Sequence, residues 1–421
     1  MASRENSTIG MPPRQLKLNM VFCILLDTMF ATGWADFQVA LQPLLVYLGA
    51  TNSQIGMITA ASGAALFGMV VSPWITVHYR TKKGYLFVTN IPYLGAIGAA
   101  GVVLLLAKTW GLENAWLLRF TLVMMLAHNF FAGFVALPHQ EYIAACVPMA
   151  YRGRFSGLSA TTGGLLAIGS ASVATWVLSN LSEPFCYGVL FVMTWFICQS
   201  GYVSCLFAKE APTPVEDCPK PWSRDMLRKT LHDKPYVRFI VYYVLIVVLG
   251  MPLVSFINVY GLKELGMPRA ASGHFMVITQ VVRLSLAALI GFATDRLGAK
   301  RLLPCWFPVF AVAAAVPVIF GTPIAVYAGV ALATIAMTGW VTSTQVLAYG
   351  IPKPENRAGH YTLYLITMYG AFSVGPLTAG YALDILSYRV VFLAYAAIGV
   401  AMFPLGRMIL SKLPDNIKDY Y

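Results

Sequence analysis

KEAPTPVEDCPKPWSRDMLRKTLHDKP, residues 209–235, is the longest polar segment of a chain that is otherwise made of long apolar runs. Its first part is rich in proline, which interrupts helices because the ring removes an N–H donor and clashes with the preceding turn. Its second part predicts a short basic helix with Trp222, Met226 and Leu227 on its apolar side, and we expect this helix to rest on the inner membrane surface. Apolar runs lie on both sides of the segment, so it divides the chain into two halves.

The composition places the chain among integral membrane proteins. Its 421 residues are 58% hydrophobic and only 11% charged, and the mean hydropathy is +0.69. The apolar runs are continuous rather than alternating, which excludes a strand-based barrel. At about 20 residues per crossing, the length accommodates roughly a dozen transmembrane helices. The predicted fold class is therefore an all-α integral membrane protein, multi-pass, located in the cell (inner) membrane.

Twelve spans follow from the breaks that glycine, proline and charged residues make in the apolar runs. Spans 1 to 6 are predicted at 18–47, 54–77, 85–107, 115–144, 155–179 and 186–208. Spans 7 to 12 are predicted at 236–262, 272–294, 302–320, 323–350, 361–384 and 390–411. The predicted domains are an N-terminal six-helix bundle (1–208), a cytoplasmic linker with the short basic helix (209–235) and a C-terminal six-helix bundle (236–421).

The basic residues indicate the orientation of the chain in the membrane. The net charge is +12, but the Lys and Arg side chains form short clusters between apolar runs, which is typical of topology rather than of nucleic-acid binding. Only Lys108, Lys263, Arg269 and Arg389 lie at the span ends opposite to the N-terminus. The excess on the other side predicts that both termini are cytoplasmic.

The two halves resemble each other in one loop. VPMAYRGRFSG (147–157) follows span 4, and IPKPENRAGHYT (351–362) follows span 10. Each has proline, then arginine, then small residues, then an aromatic residue that opens the next span. The equivalent positions indicate an internal duplication, and hence two bundles related by pseudo-two-fold symmetry.

A second loop carries the sharpest local match to a known family. GFATDRLGAKR (291–301), between spans 8 and 9, is similar to the G-x-x-x-D-R-x-G inner-loop motif of the major facilitator superfamily, with Ala299 where a basic residue is common. The residues on this pattern are Gly291, Asp295, Arg296, Gly298 and Lys300. The resemblance implies a secondary transporter that works by alternating access, with this loop acting in an inner gate. We add Glu141, Arg152, Arg154 and Arg357 to that gate, with Glu141 expected to pair with Arg152 or Arg154.

Other family motifs depart from the pattern. The first-half equivalent, WITVHYRTKKG (74–84), has His78 and Tyr79 where the Asp-Arg pair is expected, so the inner gate lacks a carboxylate there. Span 5 lacks the Gly-Pro of many drug–proton antiporters. These departures argue against a multidrug exporter.

Ionisable residues inside spans are costly in a bilayer and usually serve pairing or function. At about 1.5 Å per residue, Asp27, His128 and Arg283 are expected near the membrane midplane, and Asp36 and Arg119 near the outer boundary. Asp36 and Arg119 are predicted to form an outer gate. In the resembled fold, spans 1, 4, 7 and 10 line the central cavity and span 8 borders it, so pairing across spans is geometrically possible in each layer.

The two aspartates of span 1 lie on opposite helix faces, because nine residues at about 100° each turn the helix by two and a half revolutions. Asp27 shares its face with Trp34 and Gln38, a stripe suited to a cavity. Asp27, alone or with His128, is the predicted proton-coupling element, although a purely structural ion pair is the alternative. Arg283 is the predicted anion-binding residue, with a permanent salt bridge to Asp27 as its alternative.

The predicted substrate and coupling site brings together polar and aromatic residues of both halves: Asp27, Trp34, Gln38, His128, Asn129, Asn258, Gln280, Arg283, Trp340 and Gln345. His128 is equally suited to a proton relay and to hydrogen-bonded packing. Trp340 could stack on a planar or sugar ligand, or simply pack.

The chain contains no G-x-S-x-G, H-E-x-x-H or Walker A motif and no metal-type Cys/His spacing, so we expect no enzyme activity and no cofactor or metal. The predicted function is proton-coupled secondary transport of a small polar organic solute by a monomer, with substrate, H+ and membrane lipid as partners and no nucleic acid. The alternatives are a sodium-coupled or facilitative transporter, or a non-transporting receptor or assembly factor on the same scaffold.

Overall fold

The computed structural model describes residues 12–211, 224–352 and 357–413, without the side chains of Met149, Arg224, Met226, Arg357 and Ala358. Within these ranges the chain is helical and contains no β-strand. Twelve long helices follow one another in the order that the sequence predicts. Eleven are long and apolar enough to cross a membrane, and the twelfth, Arg357–Ile385, is a helix of 29 residues. The predicted all-α, twelve-span membrane fold is confirmed.

The first six spans lie before the polar linker. They are Pro13–Tyr47, Asn52–Thr76, Lys83–Leu106, Asn114–Cys146, Met149–Asn180 and Phe185–Ser204. Span 2 is not continuous, because a 3-10 turn at Ala61–Ala64 separates the α-helices Asn52–Ala60 and Ala65–Thr76. Several spans exceed the length needed to cross a bilayer, which a tilted helix accommodates.

The last six spans follow the linker. They are Lys234–Lys263, Ala271–Leu297, Ala299–Phe320, Pro323–Gly350, Arg357–Ile385 and Tyr388–Leu410. Three of these starts are set by side chains that accept a hydrogen bond from a free backbone N–H of the first turn. The capping residues are Asp233, Thr322 and Ser387.

Two compact units divide the described chain. The first contains span 1, span 2 from Ala64 onward, spans 3 to 6, and the segment Arg269–Val277. Span 1 packs against spans 5 and 6 there, and span 3 against spans 4 and 6. The core of this unit includes Leu26, Tyr142 and Tyr202, all essentially buried.

The second unit contains the segment Ala50–Gly63, the linker helix, span 7, span 8 from Ile278, and spans 9 to 12. Span 7 packs against spans 10, 11 and 12, and its Tyr236, Phe239 and Tyr243 are buried. The predicted domain boundaries at 208 and 236 stay a prediction, since each unit also includes a segment from the other half of the sequence.

The linker helix spans Arg224–His232 and packs against spans 7 and 11. Thr230 is buried and Leu231 is 52% exposed. Of the three residues predicted for its apolar side, Trp222 and the side chain of Met226 lie outside the described residues, and Leu227 is half-buried. Its contact with a membrane surface stays a prediction.

Candidate functional site

A carboxylate–imidazole pair joins spans 1 and 4 inside the first unit. His139 Nε2 lies 3.1 Å from Asp27 Oδ1, and the two side chains are 15% and 30% exposed. The edge of the His139 ring faces the buried ring of Tyr202, with 6.0 Å between the ring centres. Asp27 therefore has a titratable partner within its own unit, and this partner is not the predicted His128.

The predicted stripe of Asp27, Trp34 and Gln38 on span 1 is partly exposed. Asp27 and Trp34 are half-buried and Gln38 is exposed, whereas Thr32 and Asp36 on the other side are buried. The predicted helix geometry thus agrees with the burial of the side chains. Neighbouring spans of the unit therefore cover this polar and aromatic stripe only in part.

Four nearly parallel rings from spans 1, 3 and 4 lie next to this stripe. Trp34 stacks on Phe30 (6.0 Å between centres) and on His128 (5.7 Å), and His128 stacks on Tyr93 (4.5 Å). His128 is buried, and its Nδ1 lies 2.9 Å from the Tyr93 carbonyl oxygen. Because both its hydrogen bond and its ring face are used in packing, the geometry favours the packing interpretation of His128 over the proton relay.

Asp36 occupies a different environment on the opposite face of span 1. It is fully buried, and its Oδ1 accepts a hydrogen bond of 2.7 Å from Ser170 on span 5. Arg119, its predicted partner, is exposed on span 4, and no ion pair links the two among the described residues. The structure does not bring this pair together: Ser170 binds Asp36 Oδ1, and Oδ2 is buried without a hydrogen-bond partner among the described residues.

A charged cluster lies at the span ends that are predicted to be cytoplasmic. The Lys82 side chain is almost fully buried, and its Nζ donates to the carbonyl oxygens of Thr76 (2.5 Å) and Tyr79 (2.8 Å). The same Nζ lies 3.8 Å from Glu141 Oε2. Glu141 thus has Lys82 as a charged partner, which the sequence interpretation did not anticipate.

Glu210, just after span 6, brings a carboxylate to the loop of the first-half motif. It accepts the backbone N–H groups of Lys82 (2.5 Å) and Lys83 (2.9 Å) at the start of span 3. These are donors that a helix N-terminus cannot satisfy internally, and the helix dipole favours an anion there. Burial raises the pKa of Glu210, and these two N–H groups oppose that shift.

The arginines predicted for the inner gate have different environments. Arg152 donates to the carbonyl oxygens of Val147 and Ala144, and Arg154 is exposed. The Arg357 side chain lies outside the described residues. The inner gate stays a prediction.

The signature loop of the second half forms a sharp turn between spans 8 and 9. Gly298 has φ 86°, a conformation that glycine adopts without strain, and span 9 begins directly after it. Lys300 Nζ donates to the Leu413 carbonyl oxygen at 2.6 Å. Asp295 and Arg296 are exposed, and Gly291 is half-buried. Gly298 is the residue directly before the first helical residue of span 9.

The predicted second-half site residues fall in several environments. Trp340 is buried, and its ring packs near those of Tyr243 and Phe310, so the packing interpretation fits it. Arg283 and Gln345 are exposed, and Gln280 and Asn258 are half-buried. In the first half, Asn129 donates to the Met125 carbonyl oxygen one turn earlier (2.8 Å). Arg283 and Asp27 lie in different units, so their pairing stays untested.

The second unit contains its own Asp–His pair. His360 Nε2 at the start of span 11 lies 2.9 Å from Asp233 Oδ2, the residue that caps span 7. The Tyr236 hydroxyl donates to the His360 carbonyl oxygen (2.6 Å), and the two rings meet edge to face. The His360 side chain is 2% exposed.

Sequence reasoning missed His139, Lys82, Glu210 and His360. His139 carried the clearest signal, since it is the second histidine of span 4 and a neutral imidazole is a natural partner for a carboxylate in an apolar bundle. The estimate of depth at about 1.5 Å per residue hid it, because that estimate depends on where the membrane boundary is placed along each span. Partners at large sequence separation, such as Glu210 and Lys82, have no local signal.

Residues 263–419 match the family model described as Major Facilitator Superfamily. No curated protein sequence matches the chain. The predicted resemblance to this superfamily is confirmed by the family model, which covers part of the second half of the chain.

Three solved structures illustrate the fold. A mutant of the nucleoside transporter NupG has a TM-score of 0.73 and 15% identity, covering 93% of this chain and 99% of that one. A D-xylose-proton symporter has a TM-score of 0.68 and 13% identity, covering 95% and 98%. An inward-facing, unoccupied bacterial homologue of the human lysosomal transporter Spinster has a TM-score of 0.66 and 14% identity, covering 95% and 97%. At these identities the likeness concerns the fold.

Proposed function

We propose that the protein is a proton-coupled secondary transporter of a small polar organic solute, since residues 263–419 match the model of the major facilitator superfamily and the chain has the fold of solved transporters. The observation that carries this proposal is the Asp27–His139 pair on the open face of span 1. Alternating access moves the solute, and the pair carries the coupled proton.

The chemistry of the pair suits reversible protonation. When Nε2 carries the proton, a neutral imidazole donates to the Asp27 carboxylate, and the pair has one negative charge. Adding a proton neutralises the pair, which is the cheaper form in an apolar bundle. In a proton-coupled transporter, binding of the proton must shift the equilibrium between the inward-facing and outward-facing states. A pair whose charge changes on protonation can do this, because the two states then differ in their free energy of protonation.

The surroundings of the pair support access by a solute. Asp27 keeps nearly a third of its side chain exposed, and Trp34 and Gln38 extend the same face. A carboxylate, an amide and an indole edge offer hydrogen bonds and apolar contact to a compact polar molecule. The solved structures with this fold include transporters of nucleosides and of D-xylose with protons, which places small polar solutes among the substrates this fold serves.

The decisive experiment measures uptake into proteoliposomes of the purified full chain with an imposed pH gradient, using a panel of sugars, nucleosides, amino acids and organic acids. We expect at least one compound to accumulate against its gradient. Asp27→Asn is expected to abolish this accumulation while leaving equilibrative exchange of the same compound, because the site persists but no longer releases a proton.

Glu113→Gln is the matched control, since Glu113 is an exposed carboxylate before span 4 whose side chain makes no cap hydrogen bond. It is expected to transport like the unmodified protein. Uphill uptake that survives Asp27→Asn would overturn the coupling role of Asp27. Accumulation that follows a sodium gradient and ignores pH would replace proton coupling by sodium coupling, and the absence of flux with every compound would argue against transport.

A further inference from the structure

Asp36 is a buried carboxylate that the proposed transport cycle does not use. Its side chain is fully buried, and none of the ion pairs found among the described residues includes it. Ser170 on span 5 donates to its Oδ1 at 2.7 Å, whereas Oδ2 has no hydrogen-bond partner in the described part of the chain. A buried carboxylate without a counter-charge is costly, so Asp36 holds either a proton or a cation on Oδ2.

Two hydroxyl groups accompany this carboxylate. Thr32 is buried one helical turn before Asp36 on the same face of span 1, and its hydroxyl donates to the Thr28 carbonyl oxygen at 2.7 Å. Ser170 donates its hydroxyl proton to Asp36 Oδ1. Both groups therefore use their proton in a hydrogen bond and keep the lone pairs of the oxygen, which are suitable ligands for a hard cation.

The surroundings of Oδ2 favour a cation over a proton. A proton on Oδ2 would create a buried O–H donor without an acceptor in hydrogen-bond distance among residues 12–211, 224–352 and 357–413, and an unpaired buried donor costs free energy. A cation has no such requirement. Around Ca2+, which has nearly the radius of Na+, oxygen ligands lie about 2.3–2.6 Å from the ion, so two ligands are further apart than the two ends of a hydrogen bond.

The packing of span 1 against span 5 restricts the size of such an ion. The Thr28 and Thr162 hydroxyl oxygens are 2.7 Å apart, and each of these residues precedes its counterpart in the Asp36–Ser170 pair by eight positions, or about 12 Å along the helix. The two spans therefore run side by side in the same direction. A Cβ on Gly163 would lie 3.1 Å from a side-chain carbon of span 1. Helices in such close contact leave space for a small ion only.

We propose that Asp36 Oδ2, together with the hydroxyl oxygens of Thr32 and Ser170, binds a sodium ion between spans 1 and 5. The hydrogen bond from Ser170 to Oδ1 fixes the carboxylate so that Oδ2 is directed at the ion, a common arrangement next to metal ligands. One carboxylate and one monovalent ion form a neutral pair, whereas Ca2+ or Mg2+ would leave a net positive charge inside the bundle. The site lies on the opposite face of span 1 from Asp27 and is separate from the proposed proton-coupling pair.

Thermal unfolding of the purified full chain in detergent tests this site, with NaCl, KCl or choline chloride at one ionic strength and one pH. We expect the Tm to rise by a few degrees with increasing sodium and then to level off, because an ion that binds the folded state stabilises it by mass action. Potassium and choline are expected to leave the Tm unchanged. Asp36→Asn is expected to abolish the sodium effect, since the amide has a similar shape but no charge to hold the ion.

Ser170→Ala is a second variant, which keeps the carboxylate and removes the group that orients it. We expect the half-saturating sodium concentration to become about tenfold higher, as is usual when the partner of a metal ligand is lost. Glu113→Gln is the matched control, an exposed carboxylate whose loss is expected to leave the sodium effect unchanged. Binding of radiolabelled sodium to the same proteins gives a readout that does not depend on their stability.

A sodium effect that survives Asp36→Asn, or that disappears in Asp27→Asn instead, would overturn the assignment to Asp36. Equal stabilisation by NaCl and KCl would overturn the preference for a small ion. A Tm that ignores sodium but changes with pH only while Asp36 is present would assign this carboxylate a proton, which contradicts the proposal. These measurements need no substrate, so a failed uptake assay would count against the proposed function and leave the sodium site standing.

Discussion

Each compact unit contains one Asp–His pair with nearly the same distance, but the two pairs are built for different tasks. Asp233 caps the start of span 7, and its histidine partner His360 is buried and bonded to Tyr236. Asp27 instead lies within span 1 on an open face, and within the described residues His139 is its hydrogen-bonding partner. Asp233 therefore stabilises the start of a helix, whereas Asp27 has the position that the proposed coupling role requires.

The largest expected effect is on proton-driven uptake, which should depend on His139 and not on His360. His139→Gln is expected to lower proton-driven uptake at least tenfold and to alter its pH profile, since glutamine can hydrogen-bond Asp27 but cannot take up a proton. His360→Gln is expected to change uptake less than twofold, because the His360 ring is buried against Tyr236 and bonded to the residue that caps span 7. Initial rates in proteoliposomes between pH 5 and 8 measure both. Equal losses in the two variants would remove the distinction between the pairs.

A second effect concerns stability and runs in the opposite direction. Asp233→Ala is expected to cost about 1–2 kcal/mol, from the lost cap of span 7 and the lost bond to His360. The Tm in detergent should fall by a few degrees. Asp27→Ala is expected to shift the Tm less, because losing the bond to His139 is offset by removing a carboxylate from an apolar bundle. A larger fall for Asp27→Ala would assign it the structural role.

The smallest expected effect is on the pH dependence of stability, and it concerns a third carboxylate, Glu210. Burial raises its pKa in the folded protein above the ordinary value of 4.5, so the folded state retains a proton that the unfolded chain releases. The resulting stability is present below pH 4.5 and is lost as the pH rises through the raised pKa.

Glu210→Gln removes this titration, so the fall in Tm with pH above 4.5 should become shallower than in the unmodified protein. Glu113→Gln, which alters an exposed carboxylate, serves as the control and should leave the pH dependence of the Tm unchanged. A pH dependence of the Tm that is identical with and without Glu210 would show that this burial has no thermodynamic consequence.

Much of the fold follows from local patterns. The polar linker and the apolar runs predict twelve spans, and their bounds differ from the observed helices mostly at the ends, where extra turns extend beyond the apolar core. Span 2 differs more, because its 3-10 turn lies within a run of small residues, ASGA, that looks helical in the sequence. The stripe of Asp27, Trp34 and Gln38 was also predictable, since the helical repeat alone places these residues on one face.

The partners of the site residues were not predictable in the same way. An estimate of depth along each helix places Asp27 and His128 at the same level of the membrane. Such an estimate does not include the tilt of one span or its register against another. A shift of one helical turn, about 5.4 Å, is enough to exchange one partner for another. For this reason His139 is the partner of Asp27, and Ser170 that of Asp36.

The amino-acid sequence by itself determined that this chain is a twelve-span helical membrane protein, and which residues of span 1 share a face. Both properties depend on interactions within about one helical turn and on the transfer of apolar side chains from water. These interactions do not depend on which helices become neighbours in the fold. Only the tertiary structure decided which charged side chains and helix ends meet. Glu210, after span 6, binds the start of span 3, and Asp384, in span 11, binds the start of span 2. Those contacts join residues far apart in the chain, and their free energies depend on how neighbouring helices pack.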